Sequence, residues 1–206
     1  MQLPFAAIPG ILHQPDRPNG YAVALTHGAG SNMHAPLLVR ISEALENAGY
    51  LVLRYDLPFR RQRPKGPPFP AQAARDREGI AQALEALRGL ASGPLWAGGH
   101  SYGGRQTAML AAEQPGVANA LLLFSYPLHP PGKPEPKRTA FFEALRLPVL
   151  FVHGANDPFG SLEELRDAIT LIPSHTDLLP VEGAGHDLKR GADLSADLLA
   201  RMHALL

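Results

Sequence analysis

The chain contains no cysteine among its 206 residues. This absence excludes disulfide bonds, thiolate metal sites and a thiol nucleophile, and it is consistent with a reducing compartment. The opening MQLPFAAIPG also lacks the basic region and the following apolar run of a secretory signal. We therefore expect a cytoplasmic protein.

The chain also lacks an excess of either charge and any long apolar run. Nineteen basic and nineteen acidic side chains cancel, so the net charge gives no reason to expect a nucleic-acid or anionic-membrane partner. No segment reaches the roughly 18 uninterrupted apolar residues of a membrane span. We expect a soluble protein that acts on a small molecule, without a membrane span or nucleic-acid partner.

What the chain does contain is an alternation of short apolar runs with longer amphipathic ones, which predicts α/β architecture. Most of the runs are apolar on both faces, as in buried parallel strands. The predicted strands are residues 21–27, 50–56, 94–100, 120–126, 148–154 and 176–183. A further short strand is expected near residues 10–14, and the roughly twenty residues before Tyr21 are expected to be too few for a full N-terminal hairpin.

Apolar residues recur at helical spacing between these runs, and they indicate core-facing helices. The stripes are Leu37, Leu38, Ile41, Leu45 and Ala48; Ile80, Leu84 and Leu87; Leu162, Leu165 and Ile169; and Leu194, Leu198, Met202 and Leu205. Together these elements predict one three-layer α/β domain over residues 1–206, with a mostly parallel sheet of six or seven strands and helices on both faces.

Two irregular segments rich in proline follow the second and fourth predicted strands, at residues 58–70 and 127–138. Ligands bind at the carboxyl ends of strands in open α/β sheets. The segments carry the basic residues Arg60, Arg61, Arg63 and Lys65, and Lys133, Lys137 and Arg138. Either these side chains bring positive charge to a binding site for an anionic substrate, or they belong to ordinary solvated loops.

The stretch WAGGHSYGG places Ser101 between a predicted strand and a predicted helix at residues 103–114. The sequence Gly99-His100-Ser101-Tyr102-Gly103 fits G-x-S-x-G, in which a serine occupies a tight turn with its hydroxyl exposed. The alternative is a glycine-rich connection without chemistry. A phosphate-binding P-loop is excluded because this stretch has no lysine.

A second glycine-rich stretch, THGAGSNM (residues 26–33), does not fit a dinucleotide-binding fingerprint. Met33 stands at the position where that fingerprint needs a third glycine or an alanine.

A nucleophilic serine requires a base and a group that orients the base. Among nine histidines, we select His186 because its sequence GAGHD follows the last predicted strand in a glycine-rich loop. Four others, His13, His129, His175 and His203, are predicted to lie at the surface or in loops. Asp157, directly after the fifth strand, is the candidate orienting acid; its alternative role is that of an Asp-Pro turn residue.

Ser101, Asp157 and His186 occur in this order along the chain, and each lies just past a predicted strand. In this arrangement the chain resembles the α/β-hydrolase superfamily over almost its full length. It is most similar to the small, nearly lidless, dienelactone-hydrolase-like branch, although dienelactone hydrolases proper use cysteine. The resemblance implies that THGAGSNM is an oxyanion loop, with backbone N–H groups of Ala29 and Tyr102 as donors. Gly30 is an alternative to Ala29.

The resemblance implies a serine hydrolase that cleaves a small carboxylic ester or thioester through an acyl-enzyme, without a cofactor or a metal. Residues 127–146 leave room only for a minimal cap, in which Phe141 and Phe142 are expected to cover an apolar acyl pocket. A non-catalytic scaffold for protein interaction and an acyltransferase are the alternative functions. The sequence leaves a homodimer open.

Overall fold

The computed structural model describes residues 1–5, 8–189 and 194–206. Its sheet has eight strands in the order β1-β2-β4-β3-β5-β6-β7-β8. The strands are β1 (Gln2–Phe5), β2 (Gly10–His13), β3 (Ala22–Thr26), β4 (Leu51–Tyr55), β5 (Leu95–His100), β6 (Ala120–Phe124), β7 (Val149–Gly154) and β8 (Thr176–Val181). Strands β3 to β8 all run parallel to their neighbours in this part of the sheet. The pairs β1–β2 and β2–β4 are antiparallel.

Six α-helices accompany the sheet in the described ranges. They are α1 (Pro36–Asn47), α2 (Pro58–Gln62), α3 (Ala73–Arg88), α4 (Tyr102–Glu113), α5 (Leu162–Ile169) and α6 (Ser195–Leu205). The three-layer α/β fold is therefore confirmed. None of the helices in the described part of the chain is both long and apolar enough to cross a membrane.

The two faces of β3 explain why this strand is apolar throughout. Ala22 and Ala24 face a core formed with helices α3, α4 and α5, while Val23 and Leu25 face a second core formed with α1 and α6. Because successive side chains of a strand point to opposite faces, a strand covered on both sides must be apolar at every position.

The expected strand count was slightly too low, because the N-terminus does form a hairpin. Strand β1 pairs antiparallel with β2, and β2 pairs antiparallel with β4. Four residues per strand are enough for this hairpin. Its first strand, QLPF, has no clear alternation of apolar and polar residues and includes a proline, so the sequence pattern does not predict it.

The irregular segment 58–70 was predicted without regular structure, yet it begins with α2 and is followed by a short 3₁₀ helix, Pro70–Gln72. In the candidate cap, the structure has a single short 3₁₀ helix, Phe142–Ala144. Phe142 is fully buried against Tyr126 and Phe151. It therefore belongs to the core rather than covering an acyl pocket as expected.

Candidate active site

Ser101 occupies the turn between β5 and α4 in an uncommon backbone conformation, with φ 51° and ψ −116°. Such strain persists only where the surroundings enforce it. Here the surroundings are close: a Cβ on Gly103 would lie 2.5 Å from the carbonyl oxygen of His27, and one on Gly98 would overlap the carbonyl oxygen of Leu122. Glycine is required at Gly103 because α4 passes close to the end of β3, and at Gly98 because the backbone of the neighbouring strand β6 leaves no room for a side chain.

The structure brings Ser101, His186 and Asp157 together in one hydrogen-bonded chain. His186 Nε2 lies 2.8 Å from Ser101 Oγ, and His186 Nδ1 lies 2.8 Å and 3.0 Å from the carboxylate oxygens of Asp157. Because a carboxylate only accepts hydrogen bonds, Nδ1–H donates to Asp157. The other ring nitrogen is then free to accept the serine hydroxyl proton.

Asp157 is held on all sides. Its side chain is fully buried, and its Oδ1 accepts a 2.9 Å hydrogen bond from the backbone N–H of Phe159. His153 Nε2 donates to the carbonyl oxygen of Gly160 at 2.8 Å and lies 3.7 Å from Asp157 Oδ2. Burial lowers the pKa of His153, which favours its neutral form beside the carboxylate. The carboxylate is therefore fixed in one orientation.

His186 is oriented by two aromatic neighbours as well as by Asp157. The Phe159 ring lies against the imidazole, with ring centroids 4.2 Å apart. His100 Nε2 donates a 2.7 Å hydrogen bond to the backbone oxygen of His186. Burial lowers the pKa of His100 to about 4, so His100 is neutral at neutral pH. The loop that carries the imidazole is thus tied to the residue preceding the serine.

The two candidate oxyanion donors lie in the same cavity as Ser101. Tyr102 is the first residue of α4, so its N–H has no acceptor within the helix. Ala29 follows Gly28, where an added Cβ would come within 3.4 Å of Ser101 Cβ. Gly30 also lines the cavity, and the choice between Ala29 and Gly30 stays open.

Arg60 holds the loop that contains Ala29. It is only 6% exposed, and its guanidinium donates to the carbonyl oxygens of Ser31 and Ala29, each at 2.7 Å. It also donates to Gly66 at 3.0 Å. The suggestion that Arg60 offers positive charge to a substrate is therefore wrong, because backbone carbonyls already occupy its donors. The arginine-rich sequence gives no sign that this residue is buried and forms several hydrogen bonds with backbone carbonyl oxygens.

One histidine differs from the sequence prediction. His13 was expected at the surface or in a loop, but it is the last residue of β2 and is fully buried. His129 lies in a loop as expected, and it is nevertheless only 7% exposed. His13 pairs with Glu46 at 2.9 Å and accepts from Arg54 Nε at 2.7 Å. His129 lies 3.4 Å from Glu164. Tertiary pairing with a carboxylate, which leaves no local signal, accounts for both.

A cavity of about 740 Å³ opens in front of Ser101. Its apolar wall comes from the segment 67–70, Met109, Pro127 and Phe159, and its polar lining includes Arg105 and Arg138. Of the seven basic residues singled out on the two loops, only Arg138 lines this cavity, whereas Arg105 on α4 was missed. In the described residues no group of three His, Asp or Glu side chains is placed to hold a metal ion.

A family model described as "Alpha/beta hydrolase domain" matches residues 19–204. The chain belongs to this family. The match spans all the parallel strands and the three residues of the hydrogen-bonded chain. Membership in this family supports hydrolase activity.

Solved structures share the fold over nearly the whole chain. Dienelactone hydrolase from Anabaena variabilis is 18% identical, with a TM-score of 0.74, over 99% of this chain and 95% of that one. A lidless α/β serine hydrolase from Xanthomonas campestris is 17% identical, with a TM-score of 0.75 and coverage of 100% and 94%. Est1E from Butyrivibrio proteoclasticus, bound to ferulic acid, is 18% identical, with a TM-score of 0.78 and coverage of 100% and 98%. At these identities the likeness shows the fold alone.

Proposed function

We propose that this α/β-hydrolase is a serine hydrolase that cleaves a carboxylic ester or thioester of a small substrate through an acyl-enzyme. The observation that carries the proposal is the unbroken chain from Ser101 through His186 to Asp157, with a 2.8 Å contact at each step. A serine hydroxyl needs such a base to act as a nucleophile near neutral pH. The proposal also fits the fold that the chain shares with Est1E and with the lidless serine hydrolase.

In the first half of the reaction, Ser101 Oγ attacks the substrate carbonyl carbon while His186 Nε2 accepts the hydroxyl proton. The tetrahedral intermediate then collapses, and His186 returns this proton to the leaving alcohol or thiol. In the second half, His186 takes a proton from water, which attacks the acyl-enzyme and forms a second tetrahedral intermediate. When this intermediate collapses, His186 returns the proton to Ser101 Oγ and the carboxylic acid product leaves. Asp157 keeps His186 in the required tautomer and stabilises its cationic form.

The negative charge that develops on the carbonyl oxygen needs donors that are already in place. The N–H groups of Tyr102 and of Ala29 are our candidates, since both belong to the lining around Ser101. One such donor contributes about 2.7–4 kcal/mol to lowering the barrier. Arg60 fixes the adjoining peptide group, which joins Ala29 to Gly30, because it donates to the carbonyl oxygen of Ala29.

Labelling with a fluorophosphonate tests the nucleophile without knowledge of the natural substrate. We expect wild-type protein to bind one label and to hydrolyse short esters and thioesters, and Ser101→Ala to do neither. The control is Ser92→Ala, an exposed serine that should leave both properties unchanged. Ester hydrolysis by Ser101→Ala at the wild-type rate would reject the proposed nucleophile.

Labelling, together with analysis of the products in the presence of a competing nucleophile, separates the alternatives that the sequence leaves open. A protein-interaction scaffold without activity would remain unlabelled in its wild-type form. An acyltransferase would be labelled, but with an added alcohol or thiol it would form mainly the transfer product instead of the free acid. Hydrolysis predicts that the free acid dominates at moderate concentrations of the competing nucleophile.

A further inference from the structure

Two arginines, Arg105 and Arg138, reach the cavity in front of Ser101 from different parts of the chain. Arg105 lies on α4, one helical turn after the serine, and Arg138 lies in the segment that follows β6. The buried ring of Tyr126 adjoins both, and its hydroxyl donates to the backbone oxygen of Arg138. The two guanidinium groups therefore belong to one end of the cavity.

Neither arginine has a carboxylate partner within the described ranges. No acidic side chain there forms an ion pair with Arg105 or Arg138. The Nε atom of Arg105 is buried and lacks a hydrogen-bond partner. Among the residues that the structure describes, the guanidinium of Arg138 donates only to the carbonyl oxygen of Pro127, at 3.2 Å. Because the Nε atom of Arg105 is buried, it does not itself reach a ligand. Both residues line the cavity, so the terminal N–H groups of the two guanidiniums are the donors that a ligand would meet.

Two like charges at one end of a partly desolvated cavity are unfavourable unless an anion joins them. Burial, and then the nearby charge of Arg105, lower the pKa of Arg138, as expected for a cation that lacks a counter-charge. A guanidinium presents parallel N–H groups that match a carboxylate. An anion bound here would share the cavity with the reacting serine, because Ser101 and both arginines line it.

The rest of the cavity restricts the kind of anion. Phe69, Pro68 and Met109 form part of an apolar wall beside the two arginines. A doubly charged phosphate would lose more hydration in such surroundings than a singly charged carboxylate does. The apolar wall instead suits the hydrocarbon part of a substrate.

We propose that Arg105 and Arg138 form a carboxylate-binding subsite, and that the substrate is a compact ester or thioester with an apolar body and a free carboxylate. This inference rests on the proposed hydrolase function for its kinetic test. The subsite binds the carboxylate while the apolar wall holds the body, and the scissile carbonyl then reaches Ser101.

Matched ester pairs provide the kinetic test. One pair places the charge on the acyl side, as mono-4-nitrophenyl glutarate against its methyl ester, and the other places it on the alcohol side, as 4-acetoxybenzoate against its methyl ester. Spontaneous hydrolysis is subtracted. We expect the anionic member of at least one pair to have the higher kcat/KM, and that pair assigns the side. Equal or lower values for both anionic esters would overturn the proposal.

Charge-removing variants link this preference to the two arginines. Arg105→Gln and Arg138→Gln should each lower the ratio of anionic to neutral kcat/KM at least about tenfold, the scale of one charge-assisted hydrogen bond. Arg105→Lys and Arg138→Lys should keep part of it. Lys133→Gln removes an exposed charge from the same loop as Arg138 and should leave the ratio unchanged. A ratio that neither glutamine variant alters would overturn the proposal.

A binding measurement keeps the subsite testable apart from catalysis. Isothermal titration of Ser101→Ala with the methyl monoester of glutaric acid should show binding that weakens at least about tenfold when Arg105→Gln is added. Binding that the added substitution does not weaken would overturn the subsite. If wild-type protein is inactive and unlabelled while this arginine-dependent binding persists, the hydrolase proposal fails and the carboxylate subsite stands.

Discussion

Asp157 is the residue on which the orientation of His186 depends. Its carboxylate accepts the Nδ1–H of His186 and a backbone N–H of the same turn, from Phe159, and it is fully buried. A buried carboxylate with these partners determines which nitrogen of the imidazole faces the serine. Burial and the neighbouring donors therefore give Asp157 its effect on His186.

Replacing this carboxylate by an amide should separate orientation from folding. We expect Asp157→Asn to lower kcat about 10⁴-fold, because an amide can present N–H to the imidazole and stabilise the wrong tautomer. Steady-state kinetics on a short ester, with circular dichroism to verify folding, would measure this. The control is Asp187→Asn, an exposed carboxylate paired with Lys189, which should retain activity. A decrease below about tenfold in Asp157→Asn would contradict the proposed role.

His100 makes the folded protein sensitive to acid. Burial lowers its pKa in the folded state from 6.5 to about 4. Between these values the unfolded chain binds a proton that the folded chain does not, so the free energy of unfolding falls as the pH falls. The shift corresponds to about 3 kcal/mol over that interval. His13, His27 and His153 have lowered pKa values for the same first reason, burial, and add to the trend.

The contribution of His100 can be isolated with His100→Gln, whose amide can still donate to the backbone oxygen of His186 but does not titrate. Urea unfolding from pH 7 to pH 4 should show a smaller loss of stability for this variant than for wild type. Identical slopes for the two proteins would mean that His100 does not carry the effect.

At the scale of elements, the contact between β5, β3 and α4 determines where Ser101 lies. Gly103 is in the first turn of α4, directly against the backbone at the end of β3. This close approach lets the helix begin immediately after the serine. The strained backbone at Ser101 therefore depends on the packing of β5, β3 and α4. The same G-x-S-x-G sequence without that packing would not hold the serine in a catalytic position.

Gly103→Ala tests this packing. The added methyl group would lie 2.5 Å from the His27 carbonyl oxygen and 2.7 Å from the Thr26 side chain, so we expect a loss of about 1–3 kcal/mol in unfolding free energy and reduced activity. Gly116→Ala is the matched control, because its methyl group meets nothing within 4 Å. Chemical denaturation would measure both, and equal stability of the two variants would contradict the packing account.

At the scale of the whole molecule, the sequence predicts what depends on pattern along the chain. The buried parallel strands appear as continuous apolar runs, and a parallel sheet gathers their carboxyl ends at one edge. Ser101, Asp157 and His186 could therefore be placed together from their positions after three strands. The capping box of Ser161 and Glu164 at α5 was also predictable, since its spacing is local.

What the sequence does not predict depends on contacts between distant segments. Arg60 and Arg61 are neighbours in the chain, yet one is buried against backbone carbonyls and the other is exposed. Arg105 lies in the predicted helix at residues 103–114, and only the fold brings it to the same cavity as Arg138. Burial of a charge is decided by its tertiary neighbours, so the charged end of the cavity appears only in the structure.

Ser101 is expected to carry the acyl group during turnover. Mixing the protein with an excess of a 4-nitrophenyl ester, quenching in acid within the first turnover and mapping the peptides by mass spectrometry tests it directly. We predict a burst of 4-nitrophenol equal to the enzyme concentration and an acyl adduct on Ser101. An active protein with no burst and no adduct on Ser101, or with the adduct on another residue, would contradict the account.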